Sequence, residues 1–363
     1  MRLQGLHAIV AGSGALGLAV ALELQARGAQ VLLVDPAPLG DNASGVAAGM
    51  LAPAFEAVID PVSAGHFPLL RAARDAWPGF ADRLGAAAPR PGRTGALWVG
   101  DEASQADMLQ HLARLGAEAE ALTPEAAAQL SPGLVARQGA VMTPEDWRLD
   151  AGRMLAAMRG AFLAVGGRVT TSALVRMRAA QAELESGELV GADAVVLATG
   201  MPPTGLEPLP PGLDVLQPIK GQIVRFAGAG PTDGPVVRAP GIYVSPSSAG
   251  AMAGATMQAG ECDRRVEQEV VDRLVRLASP LFPQLADAEA KGAAGVRAST
   301  PDGLPLVGAG GPPGLWLALG ARRNGWLLAP LVACILADRI AGDAAGDWAG
   351  LFDPARFAAG RAA

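Results

Sequence analysis

The first 35 residues constrain the fold more than any other part of the chain. Residues 6–11 (LHAIVA) read as a short buried strand with β-branched side chains, and glycine follows at once. Gly12-Ser13-Gly14-Ala15-Leu16-Gly17 comes next. Residues 18–27 (LAVALELQAR) are good helix formers, with Gly28 where a C-cap glycine belongs. Residues 31–34 (VLLV) form a second strand pattern, and Asp35 stands at its end. A strand, a GxGxxG turn, a helix, a strand and an acid in this register make a dinucleotide-binding unit. Gly12 permits the tight turn. Gly14 lets the main chain approach a pyrophosphate, whose charge the helix N-terminus holds. Gly17 lets the helix pack closely on the strand. Asp35 can accept hydrogen bonds from ribose hydroxyls, and an acid there disfavours the extra phosphate of NADP.

Composition narrows what can be attached to this unit. A chain of 363 residues is one large domain or two ordinary ones, and 50% hydrophobic content gives ample material for a core. The net charge of −6, without a Lys/Arg block, makes a nucleic-acid partner a poor prospect. Cys262 and Cys334 form no CxxC or Cys/His cluster, so no metal site or disulfide framework is expected. Histidine is confined to His7, His66 and His111, and the chemistry is expected to proceed without a histidine base. His7 reads as a packed strand residue, and the other two as surface positions. The chain enters a strand pattern directly, so no signal peptide is expected. The longest apolar run, residues 326–337, is short of a bilayer span and contains Pro330, so no membrane partner is expected either. The expectation is a soluble, cytoplasmic protein.

The motif alone does not choose between NAD and FAD. Residues 41–53 (DNASGVAAGMLAP) form a loop of small residues suited to close main-chain contact with a long cofactor, although an ordinary connection has the same composition. Residues 192–200 (ADAVVLATG) read as a strand ending in Ala-Thr-Gly. Residues 315–320 (LWLALG) read as another, followed by Ala321-Arg322-Arg323-Asn324-Gly325 and a helix from Trp326. Cofactor-binding pieces at the start, middle and end of the chain support FAD. The last helix would aim its N-terminal amides at negative charge on a flavin.

Several strings resemble one family, the glycine oxidases of the thiamine pathway within the D-amino-acid oxidase group of flavoproteins. They are the GSGALG turn, VAAGMLAP (46–53), PIKGQ (218–222), GATM (254–257), GVRASTPDGLPLVG (295–308) and RNGWLLAP (323–330). The resemblance implies non-covalent FAD and oxidation of a small amino acid or amine to an imino acid, by hydride transfer to flavin N5. The imino acid then hydrolyses to an oxo acid and ammonia. Oxygen is the implied acceptor, giving hydrogen peroxide, with a place in thiamine (thiazole) synthesis. The same scaffold allows a dehydrogenase of D-amino or imino acids that uses a non-oxygen acceptor. Carried over by position, Gly12, Gly14, Ala15, Leu16, Gly17, Asp35, Pro36, Ala43, Ser44, Ala48, Gly49 and Met50 contact FAD. Ala173, on a strand, and Gly200 join them, and Ala321, Arg322, Arg323, Asn324, Gly325, Trp326 and Leu327 line the isoalloxazine. Arg297, Tyr243 and Arg323 grip the substrate carboxylate. Two guanidiniums and a phenol suit that task, since an arginine contact can be bidentate. With the carboxylate fixed, the α-hydrogen can be aimed and no strong protein base is needed.

Departures from the family pattern occur at Ala321, where a histidine is common, at Arg322, where an aromatic is common, and at Ser245-Pro246-Ser247 in place of Val-Pro-Arg. Arg297 could alternatively be a structural partner of Asp302, and Tyr243 a packed core residue. Cys334 is not where attachment cysteines fall. The fold class expected is α/β: a Rossmann-like FAD-binding domain (residues 1–85, 148–217 and 291–363). It is interleaved with a smaller antiparallel-sheet, α+β substrate domain (86–147 and 218–290). The proline-rich residues 208–211 mark the exit from the first domain, and the last four residues are not a peroxisomal address. Relatives of this kind are often homo-oligomeric, though no interface can be read from the residues.

Overall fold

The structure is a computed structural model and describes residues 2–357 apart from 179, 204, 207–209 and 211. Most of the proline-rich exit at 208–211, and the last four residues, therefore lie outside the described residues. The first strand, His7–Ala11, is buried beyond its first residue and pairs in parallel with Gln30–Val34 on one side and Ala194–Leu197 on the other. Arg168–Thr170 and Leu315–Leu319 extend the sheet in parallel, and Leu306–Ala309 closes it as an antiparallel edge. Strands covered on both faces read as continuous apolar runs, which is why VLLV, AVVL and LWLAL carry little alternation.

Helix Ala15–Ala26 packs on this sheet with Gly325–Ala341 beside it. Their facing residues, including Leu18, Leu24, Leu328 and Val332, are almost fully buried in one apolar cluster. Trp77 stacks near Trp326 and donates its indole N–H to the Trp326 carbonyl at 3.0 Å. That contact satisfies the one polar atom of a fully buried ring.

A second, nine-stranded sheet follows a different pattern, largely antiparallel. Its longest strands are Gln217–Ala227 and Ala290–Ser299, which pair along ten residues from Gln217↔Ser299 to Phe226↔Ala290. Gly250–Gly254 and Ile242–Ser247 continue the sheet, then Val236–Ala239 and Ala96–Trp98. The register bears on one boundary of the sequence division. Residues 291–299 were assigned to the first domain, yet they are bonded throughout to the second sheet. The GVR string reads equally well in either place, because a strand sequence does not name its partner.

Other local readings shift as well. The middle part of the first domain opens on helix Ala151–Ala164, which Asp150 caps by accepting from the Arg153 amide. The stretch before it forms a two-residue strand, Trp147–Arg148, paired with Met50–Leu51. His7 is exposed rather than packed, with Nδ1 3.6 Å from Asp193. His111 is exposed, and His66 is half-buried just before helix Phe67–Asp75.

Candidate active site

The GxGxxG turn shows why each glycine is there. Gly12 has φ +108, and a Cβ on it would lie 2.4 Å from the Ala198 carbonyl oxygen. A Cβ on Gly17 would lie 1.8 Å from the Gly12 carbonyl oxygen. Gly14 is different: its added Cβ would meet only Ser44 Oγ, at 3.0 Å. Gly14 begins helix Ala15–Ala26, which has no side-chain cap and no acid in its first turn. The Ala15 amide donates to Ser44 Oγ at 3.0 Å. Asp35 Oδ2 accepts from the Ser13 amide at 2.7 Å and the Ser13 hydroxyl at 2.6 Å, and Oδ1 from the Ala37 amide at 2.9 Å. The carboxylate is thus held at the strand end, beside a helix start whose first amide Ser44 Oγ takes and whose remaining first turn can receive an anion.

The other cofactor positions assemble around that turn. Asn42 caps the short helix Ala43–Val46, and Trp326 Nε1 donates to the Ser44 carbonyl at 3.0 Å. This bond joins the loop of small residues to the start of helix Gly325–Ala341. Ala48 and Gly49 are buried, and Gly49 has φ +72 with the Leu149 carbonyl oxygen 2.1 Å from an added Cβ. Met50 is half-buried, Leu16 likewise, and Pro36 is exposed. Gly200 has φ +78 and open space beside it. Ala173 lies in the connection just before Leu174–Arg178 rather than in a strand, as expected from sequence, and its carbonyl accepts from the Glu185 amide. Ala321 and Leu327 are buried. Asn324 precedes helix Gly325–Ala341 without a side-chain cap, and the first turn of that helix has no acid. Two open helix N-termini and glycine-lined main chain fit a long, anionic dinucleotide. Among the described residues no group of three His, Cys, Asp or Glu could hold a metal ion. No helix among them is long and apolar enough to cross a membrane. Cys334 is half-buried, and burial pushes its thiol up.

Next to these segments lies a cavity of ≈ 220 Å³ walled by Gly49, Met50, Glu56, Arg238, Tyr243, Arg297, Arg323 and Trp326, among others. The sequence-expected trio of Tyr243, Arg297 and Arg323 is therefore brought together. Arg297 pairs across the sheet with Ile219, and its guanidinium lies over Gly221. A Cβ on Gly221 would be 2.1 Å from Arg297 Nη1. Tyr243 is opposite Gly254, where an added Cβ would be 2.7 Å from the phenol oxygen. The glycines of PIKGQ and GATM thus make room for the two groups that face the cavity.

Arg297 does not pair with Asp302. Arg356 takes that carboxylate, with Nε at 2.8 Å and Nη2 at 3.1 Å. Arg297 Nη1 has only weak contacts, the Thr256 carbonyl at 3.4 Å and Met257 Sδ at 3.5 Å. It forms no ion pair among the described residues. Burial, then the neighbouring Arg323, holds its pKa below the usual arginine range, although a guanidinium stays charged. Burial raises the Tyr243 phenol, which keeps it a neutral donor.

Four charged groups of this site escaped the sequence reading. Glu56 sits in the first turn of helix Pro53–Ile59 and is buried. Its Oε1 accepts from Arg238 Nη1 and Nη2 and from Arg323 Nη2, all at 3.0 Å. Burial alone would raise Glu56, but Arg323 and Arg238 hold it below the usual carboxylate range. Glu56 raises Arg323 in turn. Asp60, one turn on, pairs with Arg322 and also accepts from Ser63 Oγ. Arg322, which read equally well as a solvated charge, is tied down in this pair. Asp146 is buried and accepts from the Ala54 and Phe55 amides at 2.8 and 3.1 Å. Burial pushes its pKa up to about 7, against the pull of Arg238. The only signal for the first two was an acid at each of two successive helical turns in PAFEAVID, an otherwise apolar run.

Fold and site together define a dinucleotide-binding oxidoreductase with a cationic pocket beside the cofactor segments. Residues 7–339 match the family model described as DAO, FAD dependent oxidoreductase, and the chain belongs to that family of FAD-dependent enzymes. The chain is 30% identical over 352 residues to a glycine oxidase of Geobacillus kaustophilus, covering 91% of this chain and 92% of that one. The crystal structure of glycine oxidase from the same organism superposes with a TM-score of 0.82 at 29% identity, covering 96% of this chain and 98% of the other. A bifunctional protein ThiO/ThiG of Nostoc sp. is 29% identical over 358 residues, and the match takes in 92% of this chain but 52% of that longer protein.

Proposed function

We propose that the protein carries out oxidative deamination of glycine or a similarly small amine, giving an imino acid and then an oxo acid and ammonia, with oxygen reduced to hydrogen peroxide. The observation that carries this reading is the unpaired Arg297 beside a buried neutral phenol, in a cavity adjoining the cofactor segments. FAD, when bound, supplies the acceptor for two electrons and the α-hydrogen. Gly12, Gly14, Ala15, Leu16, Gly17 and Asp35 would hold its adenosine and pyrophosphate. Ser44, Ala48, Gly49, Met50 and residues 321–327 would hold the flavin end, and Ala43, Pro36, Ala173 and Gly200 complete the set.

Arg297 binds the substrate carboxylate and Tyr243 donates to it, so the amino acid is fixed at one end. Arg323, already bonded to Glu56, adds positive potential rather than a free fork. Fixing the carboxylate restricts the approach of the α-carbon, and positioning of this kind replaces much of what a general base would do. The lack of a histidine in the cavity wall agrees with this. The glycine-oxidase and ThiO/ThiG relatives support a role in thiamine (thiazole) synthesis. The two sheets support a division into FAD-binding and substrate-binding units, with the last boundary placed after Ser299 rather than before Lys291.

The deciding experiment is the visible spectrum of the purified protein, recorded anaerobically before and after glycine, sarcosine and D-proline. Bleaching of yellow flavin by glycine, with recovery in air and formation of peroxide, is the expected result. Bleaching without recovery in air would replace the oxidase with a dehydrogenase that uses another acceptor. Yellow protein that no small amine bleaches would overturn the substrate assignment while leaving the cofactor assignment standing.

A further inference from the structure

The cavity region contains more guanidinium than a single carboxylate requires. Arg238, Arg297 and Arg323 line it and Arg322 is next in sequence to Arg323, and three of the four are already paired with carboxylates of this chain. Arg322 belongs to Asp60. Arg238 and Arg323 share one oxygen, Oε1 of Glu56, although they come from a sheet strand and the turn before helix Gly325–Ala341. The other oxygen, Oε2, is buried and has no hydrogen-bond partner among the described residues. Arg297 alone is left over.

We propose that Glu56 sets the charge class of the substrate: by occupying Arg238 and Arg323 it leaves one guanidinium free, so the site takes a monocarboxylic amine and rejects a dicarboxylic one. A second carboxylate reaching either occupied guanidinium would have to share it with Glu56. It would then lie against a like charge in a water-poor wall, where such repulsion is poorly screened. The position of Glu56 is enforced, not incidental. Helix Pro53–Ile59 is held at its start by the two amide bonds to Asp146. Arg238 reaches Glu56 from a strand fixed in register opposite Tyr243. This inference rests on the carboxylate-binding role given to Arg297 under the proposed function.

The test uses holoprotein and two carboxylates that are not amines, acetate and malonate, followed by their perturbation of the flavin spectrum. Wild type should bind acetate more tightly than malonate. Glu56→Gln removes the charge but keeps the shape, and should move the malonate-to-acetate affinity ratio toward malonate by about tenfold or more. Glu56→Asp, which keeps the charge, should leave the wild-type order intact. An unchanged ratio in Glu56→Gln overturns the proposal. If that variant does not retain flavin, the wild-type measurement decides: malonate binding as tightly as acetate overturns the proposal equally. Because neither probe is oxidised, this outcome is independent of turnover. A protein that glycine does not bleach can still show the swap, and one that glycine bleaches can still fail to show it.

Discussion

The dinucleotide turn and the substrate pocket are built by opposite means. The turn is consecutive chain: Gly12 to Gly17 between a strand and a helix, closed by main-chain contacts and one carboxylate, Asp35. The pocket wall comes from segments far apart in sequence, with Glu56 joined to Arg238 across 182 residues and to Arg323 across 267. In the turn, sterics leave one residue type at a position. In the pocket, charge pairing decides which cation is consumed and which is free. Damage to the first should therefore appear in folding and cofactor retention, and damage to the second in substrate handling.

The largest effect is expected where main chain meets main chain. Gly17→Ala would place a Cβ 1.8 Å from the Gly12 carbonyl oxygen, where no side chain can give way. A loss of more than about 4 kcal/mol is expected, at the upper end for a single substitution. Urea melts and flavin content after gel filtration would check it. Gly14→Ala is the control for stability alone, since its Cβ meets only the Ser44 side chain. If both variants melt alike, the steric account of the turn is wrong. On the pocket side, Arg297→Ala should leave melting and flavin content close to wild type, because it breaks no ion pair. Yet kcat/KM for glycine should fall by about 10²–10³-fold, on the scale of a lost charge-assisted hydrogen-bond pair. Oxygen uptake measures this directly.

The same contrast explains what the sequence reading could reach. The turn, its strands and Asp35 were legible because their constraints act between neighbours, so a glycine at the wrong place would have shown. Tyr243, Arg297 and Arg323 were legible through resemblance, not geometry. Glu56, Asp60, Arg238 and Asp146 were missed because each is defined by a partner in a distant segment, and no periodicity encodes that. Arg322 was ambiguous for the same reason: its charge is visible in sequence, but Asp60 is what removes it from solvent. The boundary at 291 was hard to read for a related reason: pairing register, not local pattern, decides which sheet a strand joins.

A smaller effect sharpens the comparison, because it puts a glycine clash inside the pocket. Gly221→Ala would meet the guanidinium of Arg297 at 2.1 Å, but this neighbour is the far end of a flexible side chain. The arginine can swing away, so stability should change by less than about 1.5 kcal/mol. Its aim at the carboxylate should suffer instead, with KM for glycine rising by about tenfold and kcat changing less. Steady-state kinetics beside a melting curve separates the two. A large stability loss with unchanged KM would mean that Gly221 serves the sheet and not Arg297.

The last effect is spread over pH rather than set by one steric contact, and it concerns Asp146, which stands behind the pocket and holds helix Pro53–Ile59 by two amide bonds. Its folded pKa of about 7 lies above the ordinary 3.8, chiefly because burial disfavours the charged form. Between those values the folded protein binds more protons than the unfolded chain. Stability should therefore fall as pH rises from about 4 to about 7 and level off above, with a slope of at most about 1.4 kcal/mol per pH unit. Glu56 is held below its ordinary range, so its own contribution is lost as pH falls below about 4.5, in wild type and Asp146→Asn alike, and the comparison of the two cancels it. Asp146→Asn removes the titrating proton while keeping an oxygen that can accept the amide bonds. Urea melts of the two holoproteins across this range should converge toward pH 4.5, where the wild-type carboxyl is neutral like the amide, and part toward pH 7, where only the wild type loses stability. Parallel curves would mean that Asp146 is already ionised in the folded state, its charge met by Arg238 and the two amides. The residue would then be a plain helix anchor, and the pocket would have no titrating support between pH 4.5 and 7.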